Sequence, residues 1–204
     1  MNRGAYIIAT TLVMSFFVGM AIFVLRAYDV PMNNLLNSSA AMEQADTVQV
    51  FENIKYGSKE RNVLDIYLPA GIDKSAEHGV ILYLHGGSWT SGDKSSMADD
   101  CRQFAENGYV TATMNYSFLN FSGEEKSDFK TMLTEIATAL STIKGYAAAQ
   151  GVNITKAALS GYSAGAHLAM LYAYSMVENS PLPVLFVQSK AGPADFNTFS
   201  LDSP

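Results

Sequence analysis

Only one cysteine, Cys101, occurs in the 204 residues, so the chain forms no internal disulfide and offers no cysteine cluster to a metal. A single thiol leaves the redox compartment open. Histidine is nearly as scarce, and imidazole chemistry is confined to His78, His85 and His167. Charge is thin as well. Asp, Glu, Lys and Arg make up 16% of the chain, against about 25% in an ordinary soluble domain, which predicts that part of it lies out of water. The net charge is −6, so the basic footprint of a nucleic-acid binder is missing. Internal repeats and low-complexity tracts are missing too. With 49% hydrophobic residues, the chain falls outside the disordered class.

What the chain does have is one long apolar run. Ala5 to Leu25 reads AYIIATTLVMSFFVGMAIFVL, 21 residues without a charge. As a helix rising about 1.5 Å per residue it would span roughly 30 Å, the hydrocarbon thickness of a bilayer. Arg3 and the amino terminus precede it, whereas Arg26 and Asp29 follow it and cancel. That imbalance favours a cytoplasmic amino terminus and an extracytoplasmic body. The rival is a cleaved signal peptide, whose product would be secreted. Its apolar core usually covers only about 7–15 residues, and the small-x-small site Gly19-Met20-Ala21 runs on into Ile22-Phe23-Val24-Leu25. Length and flanks therefore favour an uncleaved anchor over residues 1–28. A buried globular helix would show more of a polar face. Residues 29–46, with Pro31, three Asn and two Ser, read as a tether to a body over 47–204.

From Val48 onward the pattern changes. Val48–Tyr56 and Val63–Leu68 are β-rich and flank the turn-like Gly57-Ser58-Lys59-Glu60, which predicts a hairpin. Val80–Leu84 is a continuous apolar run, as in a strand buried on both faces. Ala98–Glu106 reads as a helix ending at Asn107-Gly108, and Val110–Met114 as a strand. Met132, Leu133, Ile136, Ala139, Leu140 and Ile143 recur at helical spacing and predict one long helix over Phe129–Ala149. Ala157–Leu159 reads as a strand, Ala164–Ser175 as a helix and Val184–Val187 as a strand. Strands alternating with helices after a hairpin give an α/β fold with a mostly parallel sheet and flanking helices.

Two motifs carry chemistry. Gly161-Tyr162-Ser163-Ala164-Gly165 lies between a strand and a helix, the context of a nucleophile elbow. A serine there stands on a sharp turn, the flanking glycines make room for crowded backbone, and the helix amino terminus favours developing negative charge. The N–H of Ala164, one residue past Ser163, can point at an oxyanion. The plainer alternative is a glycine-rich turn in which Ser163 caps the helix. The second motif, His85-Gly86-Gly87-Ser88-Trp89, follows the strand Val80–Leu84 directly, and its adjacent glycines can turn N–H groups toward a substrate carbonyl. An HGGG-type loop paired with a G-x-S-x-G elbow is the lipase and esterase arrangement.

With these motifs the sequence resembles the α/β-hydrolase superfamily, in its branch of hormone-sensitive-lipase-like and feruloyl or acetyl esterase-like enzymes. The resemblance rests also on Leu64-Asp65-Ile66-Tyr67-Leu68-Pro69, Asn115-Tyr116 and Gly161 to Ala169, and covers about Val48 to Phe196. It implies Ser163 as nucleophile and N–H groups of Gly87, Ser88 and Ala164 as oxyanion donors, with His85, Gly86, Gly161 and Gly165 in support. Ser117 departs from the pattern, because such enzymes often carry Arg there; the departure touches strand support more than chemistry. The resemblance implies a small-molecule ester substrate and no metal or organic cofactor.

A serine nucleophile needs a base, and the base an acid to orient it, in the chain order Ser, acid, His. After Ser163 the one histidine is His167, a turn into the following helix, where the resemblance implies a packing residue. His85 would brace its loop, and His78 falls in the polar turn before a strand. The acids after Ser163 are Glu178, Asp195 and Asp202; Asp195, which follows the last predicted strand, is the possible triad acid, with a turn or helix-cap role preferred for it. The body is also short of the roughly 250 residues of a closed fold of this type, so the expectation is a chain truncated at its carboxyl end, with the last strands, acid and histidine lying beyond it. A last strand without neighbours would leave an exposed apolar edge. The alternatives are a natural short form acting as a membrane-tethered, catalytically inactive binding protein, and, among enzymes, an arylformamidase-type amidase. A serine peptidase fits less well, for want of the large extra domain such enzymes carry.

Overall fold

Six strands, β1 (Val48–Lys55), β2 (Val63–Pro69), β3 (Glu77–Leu84), β4 (Val110–Met114), β5 (Asn153–Tyr162) and β6 (Val184–Lys190), form one sheet in the order β1-β2-β4-β3-β5-β6. The structure is a computed structural model and describes residues 48–122 and 126–195. The apolar run Ala5–Leu25 and the tether 29–46 lie outside the described residues. Among the described residues, no helix is long and apolar enough to cross a membrane.

β2 pairs antiparallel with β1 and β4, whereas β4, β3, β5 and β6 are mutually parallel. Side chains alternate across each strand and build two cores. Leu64, Ile66, Leu82, Leu84, Ala112 and Leu159 face the helices α2 (Phe129–Ala149) and α3 (Ala164–Ser175). On the other face Tyr67 and Tyr83 meet Met97, Cys101 and Ala105, the last two from α1 (Ala98–Glu106). The central strand β4 is buried throughout. Its two threonines stay satisfied, Thr111 Oγ1 donating to the Cys101 carbonyl at 2.8 Å and Thr113 Oγ1 to that of Lys94 at 3.2 Å.

The long helix α2 starts where its cap dictates: Asp128 accepts from the Thr131 N–H at 2.8 Å while Thr131 reaches back in a capping box. β4 and the helices α1, α2 and α3 occupy their predicted ranges, and the hairpin strands end within one residue of theirs. Three strands are longer than their apolar patterns. β5 begins at Asn153, because Asn153 and Ile154 pair with Glu77 and His78 at the exposed end of the ladder. His78 therefore lies inside β3, its Nε2 2.7 Å from the Asp73 carbonyl, and not in a turn ahead of it. β6 runs on to Lys190, beside the end of β5. It is an edge strand among the described residues, and Leu185 and Phe186 stand 63% and 60% exposed on it.

Candidate active site

The elbow follows from two backbone collisions that only glycine avoids. A Cβ on Gly161 would enter the Gly165–Ala166 peptide, and one on Gly165 would enter the carbonyls of Leu84 and His85 at the end of β3. The strand-to-helix turn can thus close tightly and α3 can sit directly on β3. Ser163 at its apex has φ 51° and ψ −116°, a costly conformation for a residue with a side chain. Its N–H donates to the Lys190 carbonyl at 2.8 Å, and its carbonyl accepts from the His167 N–H at 3.0 Å. The hydroxyl makes no capping bond to α3. The plain capping role is therefore not the one Ser163 takes.

The loop after β3 lies against this turn. Gly86 faces the Tyr162 carbonyl and the Ser163 side chain. Gly87, Ser88 and Trp89 all have positive φ, at 120°, 50° and 61°. The turn is closed by the Gly87 carbonyl, which accepts from the N–H groups of Thr90 and Ser91, both at 3.0 Å. Among the described residues, the N–H groups of Gly87 and Ser88 donate to no backbone carbonyl. Ser88, Trp89, Ser163, Ala164, Ala191, Gly192, Pro193 and Asp195 line one open pocket of about 420 Å³. Sequence separation had set Asp195 apart from Ser163. The structure brings both to this pocket, because β6 ends beside the elbow.

The three histidines have other surroundings. The ring of His85 is fully buried and stacks on Tyr116 at 4.3 Å, while its Nδ1 donates to the Gly86 carbonyl at 2.7 Å. Burial holds its pKa below the ordinary 6.5 against the opposing pull of the Gly86 bond, and the Arg61 cation adds to the lowering. His167 packs edge-on against Trp89 at 5.4 Å and Phe129 at 5.3 Å, beneath the loop, and burial lowers its pKa as well. His78 lies at the opposite end of the sheet. The contacts they make place His85 against the Gly86 carbonyl, His167 between two aromatic rings and His78 at the far end of the ladder, and geometry decides a base before pKa does. Among the described residues, no group of three or more His, Cys, Asp or Glu converges.

Charged residues that no motif singled out, Lys94, Asp93, Lys59 and Glu135, support the loop through motif residues that local pattern had given no partner. Lys94 pairs with the buried Asp65 of β2 at 2.7 Å, and its N–H donates to the Asn115 Oδ1 at 2.6 Å. Asn115 in turn donates to Asp93 at 2.7 Å. Burial pushes the Asp93 carboxyl up, but the bonds from Ser95 and Asn115 and the nearby Lys94 bring it down to about 2. Ser117, the departure noted above, donates to Glu135 through N–H and hydroxyl at 2.7 and 2.5 Å, and Lys59 bridges the pair at 2.8 and 3.3 Å. A cation from the hairpin turn thus reaches the Ser117 position. A signal for Glu135 was present in the sequence, a charge on the apolar face of α2.

The BD-FAE family model matches residues 64–200 of the chain. Over 121 residues the chain is 34% identical to the isoprenylcysteine alpha-carbonyl methylesterase of Arabidopsis thaliana, covering 59% of this chain and 27% of that protein. Over 131 residues it is 30% identical to kynurenine formamidase of Danio rerio, covering 63% of this chain and 41% of that one. The chain thus spans well under half the length of these relatives. Esterase B from Lactobacillus rhamnosis superposes with a TM-score of 0.55 at 23% identity, covering 83% of this chain and 56% of that structure, a likeness of fold.

Proposed function

The chain belongs to the BD-FAE family, within the esterase branch of the α/β hydrolases, and from that premise we propose that it carries the nucleophile half of a serine carboxylic-ester hydrolase acting on small or medium acyl esters. Ser163 is the nucleophile. Backbone N–H groups of Gly87, Ser88 and Ala164 hold the oxyanion, which is stabilised because donors already in place need no reorganisation as charge develops. The observation that supports this reading best is Ser163 itself, left-handed, uncapped and open to a pocket shared with Ser88 and Asp195. Asp195 is the nearest candidate acid. The base in this fold follows the acid in chain order, and His78, His85 and His167 all precede Asp195.

A base from solution tests the nucleophile by itself. The full chain is treated with a fluorophosphonate probe, with and without added imidazole, beside Ser163→Ala. The expected result is labelling at Ser163 that imidazole accelerates. A folded wild-type chain that stays unlabelled with imidazole overturns the reading. Turnover of p-nitrophenyl acetate without imidazole would show instead that residues 1–204 contain a base.

A formamidase reading has one specific support, the 30% identity to kynurenine formamidase of Danio rerio. Aryl formamides and aryl esters offered side by side separate the two. The uncharged run Ala5–Leu25 supports a membrane-anchored protein with its body outside the cytoplasm. Carbonate-resistant sedimentation with membranes is expected; a soluble product lacking residues 1–28 would point to a secreted one.

A further inference from the structure

Arg61 stands in the turn between β1 and β2, far from the elbow in sequence, yet it is wedged behind the loop that follows β3. Its Nε donates to the Tyr116 carbonyl at 3.2 Å and its guanidinium lies 3.7 Å over the Phe118 ring. One amino group, Nη2, then faces two acceptors. It donates to the Gly92 carbonyl at 3.1 Å and lies 3.5 Å from His85 Nε2, long for a hydrogen bond but with nothing else for that nitrogen to do than accept. A guanidinium has protons and no lone pair, so the ring nitrogen facing it must carry the lone pair. The ring's proton is left on Nδ1, which donates it to the Gly86 carbonyl at 2.7 Å.

That last bond sets a peptide plane. The Gly86 carbonyl and the Gly87 N–H belong to one planar trans unit and point in opposite directions. Holding the carbonyl toward the buried ring turns the Gly87 N–H away from it. Gly92 closes over the same bond: a Cβ there would strike the Gly86 carbonyl oxygen and crowd His85 Nδ1. From the other side, Tyr116 stacks on the ring and gives its hydroxyl proton to the His85 carbonyl at 2.7 Å.

We propose that Arg61 is a positioning residue for the oxyanion loop: its Nη2 holds Gly92 and keeps the His85 proton on Nδ1, and so fixes the orientation of the Gly86–Gly87 peptide. The proposal rests on the esterase reading for what the Gly87 N–H does, but not for how Arg61 holds His85. The groups that face the ring are Arg61, the Asp93 carboxylate and Tyr116. Of these, Asp93 favours a protonated ring and Arg61 opposes it.

The test labels the full chain with 15N-histidine and compares wild type, Arg61→Met and Arg61→Lys. Wild type is expected to show a neutral His85 with its proton on Nδ1 through the neutral range. Arg61→Met should mix the two tautomers and move the His85 titration upward, since a like charge is gone and Asp93 stays. Imidazole-assisted labelling of Ser163 should then fall by up to about a hundredfold, the scale of a donor misplaced by about an ångström. Arg61→Lys keeps the charge but not the fork. It should retain the tautomer and still lose several-fold in labelling. A folded Arg61→Met variant with an unchanged His85 overturns the proposal. Wild-type labelling by Arg61→Lys overturns it too, even if the methionine variant is too unstable to read. A wild type that cannot be labelled sinks the esterase reading alone, because the histidine spectra still report on Arg61.

Discussion

The Lys94 ammonium and the Asp65 carboxylate lie 2.7 Å apart with only 9% and 7% of their side chains exposed, joining the segment after the Gly86-Gly87 loop to β2, which runs antiparallel to its neighbours. Asp65 also accepts from the Asn53 N–H at 2.7 Å, at the bulge in β1. Removing one partner strands a charge in a place that cannot hydrate it. Lys94→Met is therefore expected to cost about 3 kcal/mol or more by urea denaturation. The double variant Asp65→Asn, Lys94→Met should recover much of that loss, since the amide oxygen can still serve Asn53. A double variant no better than the single one would show that the pair is not what matters.

Glu135 is a second buried centre. Its carboxylate receives Lys59, Asn62, Ser117 N–H and Ser117 Oγ, and so ties the hairpin turn, the segment after β4 and α2 together. Glu135→Leu leaves those donors unmatched and is expected to destabilise by about 2–4 kcal/mol. Glu135→Gln, which keeps an acceptor, should cost less. Equal losses in the two variants would mean that side-chain volume, not acceptance, holds the three segments.

Two glycines should respond in opposite directions. At Gly165 any side chain collides with the carbonyls of Leu84 and His85, so Gly165→Ala should separate α3 from β3, lower thermal stability sharply and abolish probe labelling of Ser163. At Gly145, exposed in the carboxyl-terminal part of α2, an added Cβ meets nothing within 4 Å. Gly145→Ala is expected to stabilise by about 0.5–1 kcal/mol, read from the midpoint of urea unfolding.

Stability should also depend on pH near neutrality. His85 and His167 are both held below the 6.5 of a free imidazole, so below about that pH the unfolded chain binds protons that the folded chain refuses. Their contribution is complete above pH 6.5 and declines as the pH falls toward the depressed folded values. Thermal midpoints measured from pH 8 to pH 5 should fall, and His167→Gln should flatten the slope. A flat wild-type profile would contradict the burial of both rings as the source of their lowered pKa.

Much of this fold can be read along the chain because its determinants are local. A helix period over Met132 to Ile143, a capping Asp128 and an apolar run at Val80–Leu84 act on their own neighbours in sequence. β5 is the instructive exception. Three of its first four residues, Asn153, Thr155 and Lys156, are polar, and the segment becomes strand through pairing with β3, a partner that local pattern does not register. His78 was misplaced for the same reason. Glu135 shows the converse, since a lone acid on an apolar face signals a buried partner without saying which.

The sequence by itself determined the elbow and the loop. Gly161 and Gly165 meet across a single turn around Ser163, and Gly86 and Gly87 stand side by side after an apolar strand, so spacing along the chain marks both turns, while the packing of Gly165 on Leu84 and His85 and of Gly86 on Tyr162 is tertiary. Only the tertiary structure decided what surrounds them. Arg61 reaches His85 and Gly92, Lys94 reaches Asp65, and Asp195 reaches the Ser163 pocket, across separations that no local rule spans. The reason lies in the strand order. β2 pairs with β4, which brings the hairpin behind the Gly86-Gly87 loop, and β6 pairs with β5, which carries the chain to Asp195 beside the serine. A side chain's chemistry is written in its own residue, but its partner is set by which strands the sheet places next to each other.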